Sequence, residues 1–150
     1  KMRDSRIGSF GALAILLLTL IKLNALISLA TGKPYEIAIL SIICAHSLSR
    51  FSIIVIPYFS IPASNEGLAR YAGKPATRGI IGSFLLTSIL ILILLPFGQA
   101  ILSAALAILV AGAVGLLANF QIKGYTGDIL GATQQVSEVA VLVYLASSSS

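Results

Sequence analysis

Charged residues are scarce in this chain: Asp, Glu, Lys and Arg make up 10% of its 150 residues, where a soluble domain carries about a quarter. Hydrophobic residues make up 57% and the mean hydropathy is +1.01, which excludes an ordinary soluble domain and indicates an integral membrane protein. There is one cysteine, Cys44, so no disulfide framework exists, and its place in an apolar run suits small-residue packing. There is one histidine, His46, so no second imidazole is available for a histidine metal site. The net charge of +5 does not call for nucleic acid. The basic residues stand at the ends of apolar runs, where they orient a membrane protein.

What the chain has in quantity is apolar sequence in lengths that suit a bilayer, which takes about twenty residues of helix to cross. A charged lead-in, Lys1 to Arg6, is followed by a first span from Ile7 to about Ala30. Lys22 falls in its far half and is expected to snorkel outward, with contact to an acid on another helix as the alternative. Thr31-Gly32-Lys33-Pro34 makes a turn. The second span runs from about Tyr35 to Ile56, ending before Pro57, and carries His46 and Arg50 four residues apart on one face. His46 reads either as a hydrogen-bonded core residue or as part of a site. Arg50 pairs with a carboxylate or binds a phosphate bidentately. From Pro57 to Arg78 the sequence is too polar to span and predicts an interfacial loop with a short helix near Glu66 to Ala72. Gly79 to Ile122 carries no formal charge, and Pro96-Phe-Gly-Gln99 divides it into spans of about Ile80 to Leu95 and Ala100 to Phe120. Gly112 and Gly115 suit close packing in the latter. A fifth span covers about Gly127 to Leu145. The fold class is therefore all-α integral membrane, with about five transmembrane helices plus a short interfacial helix, in a single polytopic domain over residues 1–146. The chain begins without an initiator methionine and ends in four serines, so the expectation is part of a longer protein with a disordered tail at 147–150. Lys and Arg concentrate in the lead-in, the 57–78 loop and at Lys123, which the positive-inside rule makes the cytoplasmic side.

The last span opens with Lys123-Gly-Tyr-Thr-Gly-Asp128-Ile-Leu-Gly-Ala-Thr-Gln-Gln-Val-Ser-Glu138, where polarity is concentrated. At about 100° per residue Gln135 lies almost under Asp128, and Glu138 within about 80° of it and roughly 15 Å deeper. Polar groups in a bilayer face a cavity or partners rather than lipid. The stretch is therefore a candidate site, the alternative being an Asp128 that caps the helix and side chains that bond to neighbouring helices. Gly124, Gly127 and Gly131 allow a close approach of backbone. They form no Walker loop, since no Gly-Lys-Ser/Thr follows.

These residues carry a resemblance. Met2-Arg3-Asp4-Ser5-Arg6-Ile7-Gly8-Ser9-Phe10-Gly11 and the Gly124 to Glu138 stretch resemble two motifs of the cobalamin synthases, the adenosylcobinamide-GDP ribazoletransferases. His46 with Ser49-Arg50, and Glu66-Gly-Leu-Ala, resemble the family's middle blocks. Members carry an Asp-rich segment upstream of the first motif, so the likeness is to the C-terminal part of the enzyme. It implies transfer of the cobinamide phosphate of adenosylcobinamide-GDP to α-ribazole or its 5′-phosphate, with release of GMP, in a prokaryotic cell membrane and with the active-site face cytoplasmic. It implies Mg²⁺ as cofactor, with Asp4 and Asp128 as metal-binding and catalytic carboxylates, and Arg6 and Arg50 on phosphate. Gln135, Glu138 and His46 would support the site or contact the corrinoid. Partners would be these substrates and the lipid bilayer, and a homo-oligomer is left open.

A transporter or channel with Glu138, His46 and Arg50 along a polar path is the rival from another class. The lack of a second deep acid and of inverted half-helices counts against it. The Asp-x-x-Asp-Gly-x-x-Ala-Arg pattern of CDP-alcohol phosphotransferases is absent, and a purely structural subunit leaves the polar face of the last span unexplained.

Overall fold

The computed structural model describes residues 8–63 and 74–148. Among these, five helices follow one another: α1 (Ser9–Gly32), α2 (Tyr35–Phe59), α3 (Thr77–Leu94), α4 (Phe97–Ile122) and α5 (Gly127–Ser147). Each is long and apolar enough to cross a membrane. Inside a bilayer only a structure that pairs its own backbone groups is stable, and an uninterrupted helix does so. The predicted spans are thus found, with ends displaced by a few residues. The expected interfacial helix at 66–72 lies outside the described residues, as do Asp4, Arg6 and the last two serines of the tail; Ser147 closes α5.

One boundary differs in kind. The second span was expected to stop before Pro57, but Pro57 is buried within the last turn of α2, and Ser60 N donates to Ile56 O at 3.0 Å to close the helix. Proline removes a donor and crowds the preceding turn, which is tolerable this near a helix end. Pro34 and Pro96 stand immediately before α2 and α4, where a missing N–H costs nothing. The connections after α1 and α3 are correspondingly short.

α2 and α5 form the centre of the bundle. α5 packs against α2, α4 and α1, α2 also meets α4 and α3, and α3 touches its sequence neighbour α4 little. Ala100, Ser103, Ala107, Ala111 and Ala118 make a buried stripe along α4, which lets helix axes approach where dispersion rather than hydrophobicity drives association. The expected role of Gly112 is not seen, since nothing lies within 4 Å of a Cβ built there; alanine and serine do the packing. The end of α2 meets the start of α5 through the Pro62–Tyr125 bridge, and Lys33, Leu95 and Pro96 gather around Ser148 at the end of α5, so residues 60–63 and 123–126 share one face of the bundle and Lys33-Pro34 and Leu95-Pro96 the other.

On that second face Lys33 Nζ donates to the Ser148 carbonyl at the end of α5. A cation at a helix C-terminus is worth about 0.3–1 kcal/mol. Lys33→Met is expected to lower stability by about that amount in a thermal melt of the detergent-solubilised protein, and an unchanged midpoint would remove the contact from the account.

Candidate functional site: a charge cluster and the mouth of the last helix

The site is built from the ends of α4 and α5 inward. α4 ends at Lys123, in the left-handed region at φ 54°, and Gly124 follows. A Cβ on Gly124 would stand 2.4 Å from Ile61 O and 2.9 Å from Ala63 N, so this position admits only glycine in the present backbone. The reason for the closeness is a clasp between two loops. Tyr125 N donates to Ile61 O at 3.0 Å and Ala63 N to Tyr125 O at 2.9 Å, forming an isolated parallel bridge between Pro62 and Tyr125. Tyr125 is buried, and Lys74 lies over the neighbouring Tyr58 ring at 4.9 Å. Gly127 and Gly131, expected to permit close approach as well, have nothing within 4 Å of a built Cβ.

α5 begins immediately after the clasp. Thr126, not Asp128, is the capping residue, its hydroxyl accepting from Ile129 N at 3.4 Å. Asp128 occupies the first turn, exposed at the membrane face, where the helix dipole favours a negative charge. Gln135 is also exposed, on the same side as Asp128. Glu138 departs from them: it is 1% exposed and turns into the bundle, about 16 Å along α5 from its start.

There Glu138 Oε1 meets Lys22 Nζ of α1 at 2.5 Å and His46 Nε2 of α2 at 3.5 Å. The lysine is at ion-pair distance without being aligned as a hydrogen bond, so Oε1 has charge partners and no donor in line. His46 Nδ1 stands 3.1 Å from Ile42 O; a carbonyl can only accept, so Nδ1 donates in this contact. Lys22 and His46 lie within about 20 Å of the Asp128 face at 1.5 Å per residue, so three helices contribute to one cluster near mid-depth. Lys22 was expected to snorkel outward. The structure corrects this, because a buried carboxylate on α5 is a better partner than distant water.

Arg50 lies one turn closer to the Asp128 face than His46, on the same side of α2, and is exposed. Among the described residues Lys22 forms an ion pair with Glu138 and the His46 ring stands beside the same carboxylate, and Arg50 pairs with no described acid. Of the predicted site residues the structure therefore joins His46 and Glu138 directly, leaves Asp128 and Gln135 exposed nearer the face, and adds Lys22. No three His, Cys, Asp or Glu side chains among the described residues are grouped to hold a metal. Asp128 fits Mg²⁺ as one carboxylate of a water-rich site, since that ion needs only one or two.

Five spanning helices with a charged cluster among three of them define a polytopic all-α membrane protein with an intramembrane polar site. A family profile for cobalamin-5-phosphate synthase matches residues 2–146. The chain belongs to that family. It is 37% identical over 146 residues to an adenosylcobinamide-GDP ribazoletransferase of Azorhizobium caulinodans, covering 95% of this chain and 55% of the relative. It is 40% identical over 142 residues to that of Mesorhizobium japonicum, covering 95% and 53%, and 33% identical over 145 residues to that of Bradyrhizobium diazoefficiens, covering 97% and 55%. The chain thus spans about half the length of the curated relatives it matches. No solved structure matches it.

Proposed function

We propose that this chain is part of an adenosylcobinamide-GDP ribazoletransferase. A ribose hydroxyl of α-ribazole or its 5′-phosphate attacks the phosphorus that bears cobinamide. The new P–O bond forms as the bond to GMP breaks, GMP leaves with the electron pair, and the hydroxyl proton passes to a base. The observation that carries this reading is the family match over residues 2–146, together with relatives that bear this name.

Asp128 and Asp4 hold Mg²⁺ in this proposal, and Asp4 lies outside the described residues. The ion, when bound, supplies positive charge on the phosphoryl oxygens. Arg50 steadies phosphate charge, and so does Arg6, also outside the described residues. A carboxylate at the Asp128 face takes the hydroxyl proton. Gln135 contacts the amide-rich corrinoid side chains, and Glu138, with His46 beside it, braces α5 against α1 and α2 below the site without touching substrate. The reaction takes place on the cytoplasmic side of a prokaryotic cell membrane; in support, Lys74, Arg78 and Lys123 stand at the Asp128 end of the bundle and Lys33 at the other.

The experiment is GMP release by the full-length protein in liposomes, with adenosylcobinamide-GDP and α-ribazole phosphate, with and without Mg²⁺. Wild type is expected to release GMP only with the metal, and Asp128→Asn to lower the rate by about a hundredfold or more, the lower end for loss of a group in acid–base chemistry. No release from a folded wild type sinks the reading. Undiminished release by the mutant keeps the transferase and removes Asp128 from its chemistry.

A further inference from the structure

Lys22 has no part in the reaction as proposed, yet it makes the closest contact in the cluster. Lys22 and His46 stand against a single buried carboxylate, and Arg50 follows His46 one turn further along the same face of α2. Glu138 takes the first two on one oxygen, at 2.5 Å and 3.5 Å. Arg50 projects from the His46 side of α2, about 6 Å further along the axis. An ion removed from water is strongly unfavourable when left bare, so a buried carboxylate takes whichever cation reaches it. Glu138 has two candidate cations besides the His46 ring: Lys22 on α1, and Arg50, one turn beyond His46 on the same face of α2. In the structure Lys22 holds it. His46 is not released either, because its Nδ1 is committed to Ile42 O at 3.1 Å.

We infer that Lys22 is a positioning residue: by occupying Glu138 it keeps the Arg50 guanidinium without an acid partner among the described residues and available to an oxyanion, the pyrophosphate of the nucleotide-activated corrinoid. This rests on the ribazoletransferase reading above. A guanidinium grips a phosphate through two parallel hydrogen bonds, and it does so only when no carboxylate of the protein already fills that fork. Arg50 lies between the deep Glu138 cluster and the face that carries Asp128. A phosphate held by the exposed Arg50 stands on the Asp128 side of the Glu138 cluster.

Equilibrium dialysis of adenosylcobinamide-GDP against the full-length protein in detergent, read by the corrinoid's visible absorbance, tests this. Lys22→Met is expected to weaken binding about tenfold in a protein that still elutes as folded, because Glu138 then captures Arg50. Lys22→Arg restores the pair and keeps binding within about threefold of wild type. The double variant Lys22→Met/Glu138→Gln carries neither charge, frees Arg50 and recovers binding to within about threefold; adding Arg50→Met abolishes that recovery. A lysine that only joins α1 to α5 gives a different pattern, with stability lost, binding by the folded fraction unchanged, and no dependence of the recovery on Arg50. The double variant keeps the idea open to refutation even where the single one does not fold: lost binding in a folded double variant overturns it. So does undiminished binding in a folded Lys22→Met. A wild type that neither binds the corrinoid nor releases GMP overturns the transferase reading and this inference together, whereas a wild type that does both while the variants fail the pattern overturns the inference alone.

Discussion

Replacing Glu138 by alanine is expected to lower stability by about 3 kcal/mol. The carboxylate is 1% exposed and its removal leaves Lys22, 28% exposed at the side chain, as a cation near mid-membrane with no partner at hand. Breaking a buried pair from one side costs about 3–5 kcal/mol, and an insertion scale puts a lone lysine at the helix centre at about 2.5–3.5 kcal/mol; partial exposure of Lys22 favours the lower end. Titration with a denaturing detergent, followed by far-ultraviolet circular dichroism, reads the loss. The asymmetry is the check. Lys22→Met/Glu138→Ala is expected to recover most of the stability, because a pair replaced by apolar groups is near neutral. A double variant as unstable as the single one would show that the cost lies in the cavity left by Glu138 rather than in the bare charge.

Gly124→Ala is expected to cost about 2 kcal/mol, for a reason of space. The added methyl would lie 2.4 Å from Ile61 O, so the segment Ile61 to Ala63 must move away and both hydrogen bonds of the clasp lengthen or break. Each contributes about 1 kcal/mol net, and Tyr125 loses its cover besides. Increased proteolysis in the loop after α2, with a lowered unfolding midpoint, is the expected observation. Gly131→Ala provides the contrast. It sits in α5 with nothing within 4 Å of the built Cβ, and alanine is the better helix former by up to about 1 kcal/mol. A Gly131→Ala that destabilises as much as Gly124→Ala would contradict the steric account.

The helices were legible in the sequence because apolar length alone decides what spans a bilayer, and charge-poor runs between Lys33-Pro34, Pro57 and Pro96 mark their limits. Pro57 misled because its effect depends on its distance from the helix end, which hydrophobicity does not fix. The polar stretch of the last helix was legible as a site, but its side chains do not act as one face. Asp128 and Gln135 stay on the exposed side while Glu138 turns inward, since an 80° offset is enough to change which neighbour a side chain meets. Lys22 was legible only as an alternative. Its partner is far off in the sequence, and no local spacing connects residues on the first and last helices. A signal did exist: a lysine inside a span, in a chain with few acids, asks which of them is buried with it. The clasp at Tyr125 left no such trace, because backbone hydrogen bonds between loops depend on where two chain segments are brought by the helices they join.

The contact between Lys22 and Glu138 also bears on how the protein is made. α1 precedes α5 in the chain, so during synthesis α1 enters the membrane with its ammonium bare, and three more helices follow before the carboxylate arrives. Until then Lys22 lacks the carboxylate that holds it in the bundle. Arrival of α5 draws it inward. α1, made before α5, is in this respect set in place only after it, and a chain cut off before Glu138 would leave α1 without the partner that fixes its depth.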